Sequence, residues 1–187
     1  MDKTLSVIIV NWNVREYLKK CLSSIYAHTK DLEFEVYVVD NNSSDGSQDM
    51  VKKDFPGVRL IESSKNLGFA SGNNLALKEC DPHYVLFLNP DTELIDNSLK
   101  AMAVYMDTHP EAGSIGCKLL HPDGTQQLTC RNFPSLFTDL MEKLNLDWIF
   151  QRNGFFNYYR MGLWEHNYSK EVNVPTGACL LVRQDIL

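Results

Sequence analysis

A carboxylate that leaves an apolar run and is followed by small polar residues can hold a nucleoside. The chain offers one in Asp40-Asn41-Asn42-Ser43-Ser44-Asp45-Gly46-Ser47. Asp40 could accept a hydrogen bond from a base N–H or a ribose hydroxyl, which discriminates nucleosides well. The same run also reads as a turn and helix cap, with Ser44 or Asp45 capping while Asp40 faces a ligand. A second acidic run, Asn89-Pro90-Asp91-Thr92-Glu93, offers oxygen ligands to a hard divalent cation that would bridge to diphosphate oxygens. It is equally an Asn-Pro-Asp turn that starts a helix. Asn11-Trp12-Asn13 sets a flat aromatic between two amides, either to line a pocket for a planar base or to turn the chain while Trp12 packs in the core. Lys65 to Asn74 carries Gly68 and Gly72, which permit close backbone approach at a helix start whose free amides suit an anion. It has neither the G-K-[ST] nor the glycine spacing of a P-loop.

Each of these runs is delivered by an apolar segment. Leu5 to Val10, Glu35 to Asp40, Val58 to Glu62 and Tyr84 to Leu88 read as buried strands. Helical spacing predicts helices over Arg15 to Ala27, Ser47 to Asp54, Gly72 to Lys78 and Asn97 to Thr108. Their apolar faces are Tyr17, Leu18, Cys21, Leu22 and Ile25 in the first and Leu99, Met102, Ala103 and Met106 in the last. Such alternation implies βαβ crossovers and a mostly parallel sheet, which binds ligands outside the carboxyl ends of its strands. The four polar runs all fall on that edge.

Beyond Gly113 the pattern loosens. Ser114 to Leu120 reads as a strand and Pro122-Asp123-Gly124-Thr125 as a turn, while Ser135 to Phe150 reads as a helix carrying Leu136, Leu140, Met141 and Leu144. An aromatic stretch includes Phe155, Phe156, Tyr158, Tyr159 and Trp164, and two extended pieces meet at Gly177. The apolar helix and the aromatics fit core packing or an interface. They also fit an acceptor wall, with peripheral association at the inner face of the cytoplasmic membrane.

A length of 187 residues suits one domain with a real core, and 44% hydrophobic with 22% charged residues is ordinary for a globular protein. A net charge of -6 excludes a nucleic-acid surface. Five scattered cysteines without C-x-x-C spacing argue against a disulfide framework or zinc site and for a reducing, cytoplasmic compartment. The first apolar run is too short for a signal peptide or membrane span.

The elements SVIIVNWN (6–13), VVDNNSSDGS (38–47), NLGFASGNN (66–74), LFLNPDTEL (86–94) and VPTGACLLVR (174–183), in this order, resemble family 2 glycosyltransferases, especially their rhamnosyltransferase-like branch. The resemblance implies an α/β GT-A (Rossmann-like) fold, with a nucleotide-binding half over about 1–112 and an acceptor-side part over about 113–187. It implies an inverting transfer of rhamnose or a hexose from a nucleoside diphosphate-sugar, dTDP-rhamnose or a UDP-hexose, to a glycan or lipid-linked acceptor in cell-surface polysaccharide synthesis. Val10, Asn11, Trp12, Asn13, Asp40, Asn66, Gly68, Asn73, Asn89 and Pro90 would bind the nucleotide. Asp91 would bind Mg2+ or Mn2+, in an Asn89-Pro90-Asp91 that replaces the family's D-x-D. Thr176, Gly177 and Ala178 would lie beside the donor sugar and acceptor.

The family's E-D-x-D motif, which carries the general base, would fall beyond Leu187. The chain is therefore expected to be C-terminally truncated, to bind donor nucleotide and to transfer little. A non-catalytic nucleotide-sugar-binding module is the alternative. A sugar nucleotidyltransferase would need a basic Gly-rich loop after the first strand, which Asn11 to Arg15 does not supply.

Overall fold

In a computed structural model, the β-branched apolar runs form strands and the segments between them fold back as helices. The structure describes residues 5–144, 159, 161, 164 and 167–187. They fall into two compact units, one of residues up to Cys117 together with Gly177–Leu187, the other Lys118–Thr176.

In the first unit β1 (Leu5–Asn11), buried along its whole length, is central. It pairs in parallel with β2 (Phe34–Asp40) on one side and β4 (Tyr84–Leu88) on the other, and β3 (Arg59–Glu62) extends the β2 side. Helices α1 (Arg15–His28), α2 (Ser47–Asp54), α3 (Gly68–Leu77) and α4 (Ser98–Thr108) connect and follow these strands. The predicted face of α4, Leu99, Met102, Ala103 and Met106, is the buried one. In α1 the buried face is Leu18, Cys21, Leu22 and Ile25, whereas Tyr17 points to solvent. Helix α3 begins at Gly68, four residues ahead of the expected start. Asn66 Oδ1 accepts from the Gly68 amide and caps the turn there.

The six-stranded sheet has the order β3-β2-β1-β4-β6-β5. The expected mostly parallel sheet is present, with one reversal. Strand β6 (Cys179–Arg183) runs antiparallel both to β4 and to β5 (Ser114–Gly116). It follows the second unit and not a strand–helix crossover of the kind that returns the chain for parallel pairing in β1 to β4. The Arg183 guanidinium then ties β6 to the end of α4. Its η2 nitrogen donates to the Met106 (2.5 Å) and His109 (3.0 Å) carbonyls and its Nε to Ala112 (2.8 Å). The Met106 and His109 carbonyls also accept the His109 and Ala112 amides, so the guanidinium reinforces the turn that leaves α4.

In the second unit the predicted turn closes at Gly124, whose φ of +82° suits glycine. Asp123 Oδ1 accepts from the Thr125 amide and hydroxyl. Of the strand expected over Ser114 to Leu120, Ser114–Gly116 forms β5 in the first unit, and single bridges join Leu120 to Gln126 and Arg131 to Val174. Helix α5 (Leu136–Lys143) starts where Ser135 and Thr138 cap each other. Leu136 and Leu140 on it, and Leu144 just after it, are exposed, which sets aside core packing for these three and leaves the interface and acceptor-wall readings. Arg131 and Lys170 lie over the rings of Tyr159 and Trp164. The remainder of the expected helix to Phe150, and Phe155, Phe156 and Tyr158, lie outside the described residues. Among the described residues no helix is long and apolar enough to cross a membrane.

Candidate functional site

Parallel pairing aligns the last residues of β1 and β2, Asn11 opposite Asp40. Strand order reverses at β1, since β2 and β3 lie on one side and β4 on the other. Loops diverge at such a switch point and open a crevice at the carboxyl ends. Asn11, Asp40 and the Asn89-Pro90-Asp91 turn all issue from this edge.

Asp40 is wholly buried yet ionisable, which requires compensation. Its Oδ1 accepts from Asn11 Nδ2 (2.8 Å), and its Oδ2 accepts from the Ser43 amide (2.8 Å) and Gln48 Nε2 (2.7 Å). Burial pushes the Asp40 carboxyl up, but the hydrogen bonds from Gln48, Ser43 and Asn11 outweigh it and hold the group below the usual carboxylate range. Asn11 also donates to Ser43 Oγ (3.1 Å), while its own buried Oδ1 has no donor. The buried Oδ1 of Asn73 is likewise without one. Among the described residues, the buried amide oxygens of Asn11 at the end of β1 and Asn73 in α3 lack partners, exceptions that ask for water or ligand.

The loop after β2 binds the loop after β1. Asn13, with φ of +54°, accepts the Ser44 amide on its side-chain oxygen, and its own amide donates to Ser43 Oγ. Asp45 accepts from the Arg15 amide at the start of α1 and from the Ser47 amide and hydroxyl at the start of α2. Burial opposes these bonds, but they win and lower the Asp45 carboxyl. Asp45 is thus the cap that the sequence suggested, and it serves two helices. Trp12 is 55% exposed, which rules out the core position.

Asn41 was not among the residues expected in the site. It is buried and holds the third loop, with Nδ2 donating to the Gly68 carbonyl (3.3 Å) and Oδ1 accepting from the Leu67 amide (3.4 Å). Gly68 has φ of +76° and open space where a Cβ would be, so it provides the backbone freedom expected of it. Gly72 has another role: a Cβ there would lie 2.9 Å from Val10 Cγ1, so it seats α3 on β1. Val10 is correspondingly a core residue with Ile8, Tyr37 and Val39, and supports the site from beneath. Asn66 spends its side-chain oxygen on capping α3.

Beyond β4, Asn89-Pro90-Asp91-Thr92 forms a turn closed by Thr92 N to Asn89 O (3.2 Å), with Pro90 at the position its fixed φ favours. Asn89 N donates to the Ala178 carbonyl (2.9 Å), which brings Gly177 and Ala178 beside the turn. Thr176 belongs to the second unit. Asp91 and Glu93 are exposed, and both are near enough to Cys21 to act on its thiol. Burial first, then these two charges, push that thiol up to about 12.

Among the described residues no group of three His, Cys, Asp or Glu forms a metal cage. One or two carboxylates on an open turn fit Mg2+ or Mn2+ completed by phosphate and water, the mode in which these ions bind nucleotides.

The sequence model described as Glycosyl transferase family 2 matches residues 6–186. The chain is 28% identical to the N-acetylglucosaminyl-diphospho-decaprenol L-rhamnosyltransferase of Mycobacterium tuberculosis over 98% of its own length and 62% of that protein's. It therefore spans less than two thirds of this relative. Among solved structures it resembles S. aureus TarS in complex with UDP-GlcNAc (28% identity, TM-score 0.56, 71% of this chain and 37% of that one). It also resembles the mannosyltransferase PcManGT from Pyrobaculum calidifontis in complex with GDP-Man and Mn2+ (25% identity, TM-score 0.56, 66% of this chain and 37% of that one). The six-stranded sheet flanked by helices is the architecture shared with these structures.

Proposed function

The chain belongs to glycosyl transferase family 2, and on that premise we propose that its sheet edge binds a nucleoside diphosphate-sugar for inverting transfer to a glycan or lipid-linked acceptor. The observation that carries this reading is the union of three features at one switch point: the buried Asn11–Asp40 pair, the exposed Trp12 and the Asp91 turn. Asp40 takes a base N–H, Trp12 offers a flat face to the base, and Asp91 faces the diphosphate. Asn13, Gly68 and Asn73 complete the pocket, Asn41 and Asn66 shape its third loop, and Gly177 and Ala178 lie toward the sugar and acceptor. The names of the relatives, one a decaprenol-linked rhamnosyltransferase and another a complex with UDP-GlcNAc, favour rhamnose or a hexose as the sugar. The decaprenol-linked substrate in the first name also fits a role in cell-surface polysaccharide synthesis.

Mg2+ or Mn2+ held by Asp91 would neutralise the leaving diphosphate. The chain's own residues do the rest. Asn11, Ser43 and Gln48 keep Asp40 ionised, so that it can only accept, which selects bases that present an N–H. The Asn89–Ala178 bond holds the Asp91 turn against the start of β6, so that diphosphate and sugar are presented in one orientation.

Calorimetric titration with UDP, dTDP and GDP, each with and without Mn2+, tests this on the wild type and Asp91→Ala. One nucleotide should bind in a metal-dependent way, and Asp91→Ala should abolish the metal dependence. A nucleotide at a hundred times its dissociation constant should also stabilise the fold by about 2.7 kcal/mol. Failure of all three to bind at millimolar concentration would refute the reading.

A further inference from the structure

We propose that Gln48 sets nucleotide affinity at this site: in the free protein its carboxamide occupies the position on Asp40 that the base N–H takes on binding. The inference rests on the donor-binding reading above and adds to it the side chain that must leave. Asp40 is wholly buried and three donors already converge on its carboxylate, from Asn11, Ser43 and Gln48. An ionised carboxylate has room for about four, but an incoming base cannot reach a group with no exposed surface unless a neighbour moves.

The three donors are not equally free to do so. The Ser43 donor is a main-chain amide in the turn after β2. Asn11 is buried at the end of the central strand and spends a second hydrogen bond on Ser43 Oγ. Gln48 is only half-buried, makes this one hydrogen bond, and stands in the first turn of α2 on a side chain with three rotatable bonds. Gln48 is therefore the donor that exchanges. A nucleotide then gains one charge-assisted hydrogen bond and forfeits an equivalent one, so its apparent affinity is its intrinsic affinity reduced by the fraction of protein in which Gln48 has swung away.

Removing the internal donor should raise affinity. Titration of UDP with Mn2+ into wild type, Gln48→Ala, Gln48→Met and Asp40→Asn should give roughly tenfold tighter binding for both Gln48 variants. Gln48→Met keeps the length of the side chain without its donor, so equal tightening in the two variants assigns the effect to the hydrogen bond and not to volume. In wild type the side-chain amide resonances of Gln48 should move toward solvent-exposed values as UDP saturates the site. Unchanged or weaker binding in both Gln48 variants, with wild type binding UDP and Asp40→Asn losing it, would overturn the exchange and leave the donor site standing. Absence of UDP binding in every protein, with dTDP and GDP failing likewise, would overturn the donor reading and the exchange with it.

Discussion

Gly72→Ala probes the contact that seats α3 on the sheet. An added Cβ would meet Val10 Cγ1 at 2.9 Å, Cγ2 at 3.0 Å and Cβ at 3.6 Å. Val10 cannot swing clear, because a β-branched side chain turning about χ1 exchanges one methyl for the other. It also stands on the central strand, held between β2 and β4. Helix α3 must therefore lift, and overpacking of this kind costs about 1–3 kcal/mol. Replacing glycine inside a helix returns about 1 kcal/mol. The variant should be destabilised by roughly 0–2 kcal/mol on these figures. In a Val10→Ala background the clash is gone and only the helix gain is left, so the same substitution should stabilise by about 1 kcal/mol. Urea unfolding of the four proteins measures the coupling, expected at about 1–3 kcal/mol. A coupling within about 0.5 kcal/mol of zero would refute the close approach of α3 to Val10.

Acid should act through Asp40. Its folded carboxyl is held below the ordinary value, so its contribution is fully present above the unfolded carboxylate pKa of roughly 3.9 and is lost as pH falls through the lower folded value. Melting temperatures from pH 5 downward should fall more steeply in wild type than in Asp40→Asn, and parallel curves would count against the hydrogen-bonded carboxylate. Arg183→Ala should cost about 2–4 kcal/mol, since it strips donors from the Met106, His109 and Ala112 carbonyls. Arg183→Lys should recover little of this in the same denaturant series, because an ammonium lacks the planar fork.

The first four strands and helices could be read from the chain because their signals are local. Val7-Ile8-Ile9-Val10 is a buried strand wherever it sits, and Leu99, Met102, Ala103 and Met106 mark one face of a helix without reference to a partner. The direction of β6 could not be read, since alternation encodes an extended backbone and not which neighbour it meets. The site divides in the same way. Asn11 and Asp40 stood out as polar residues ending apolar runs, but Gln48 and Asn41 matter only because register brings their loops together. Trp12 could be either core or crevice in sequence, because an indole suits both until the strand's end is placed. Gly72 looked like a ligand-facing glycine because a close approach leaves the same mark whether a phosphate or Val10 is the neighbour.

The insertion of β6 between β4 and β5 also dictates an order of events during synthesis. Strands β1 to β4 can pair as soon as they leave the ribosome, but among the described residues β5 pairs with the sheet only through β6, and all of Lys118–Thr176 is made between them. At about 5–20 residues per second the wait is on the order of seconds. Throughout it the apolar strand Tyr84–Leu88 presents an unpaired edge, the kind of surface on which nascent chains stick to one another. Closing so long a loop adds little to its equilibrium cost, since that grows only logarithmically with length. The cost is in time, and it makes the β4 edge the place where a holdase chaperone would be needed and where slowed translation would be felt as aggregation.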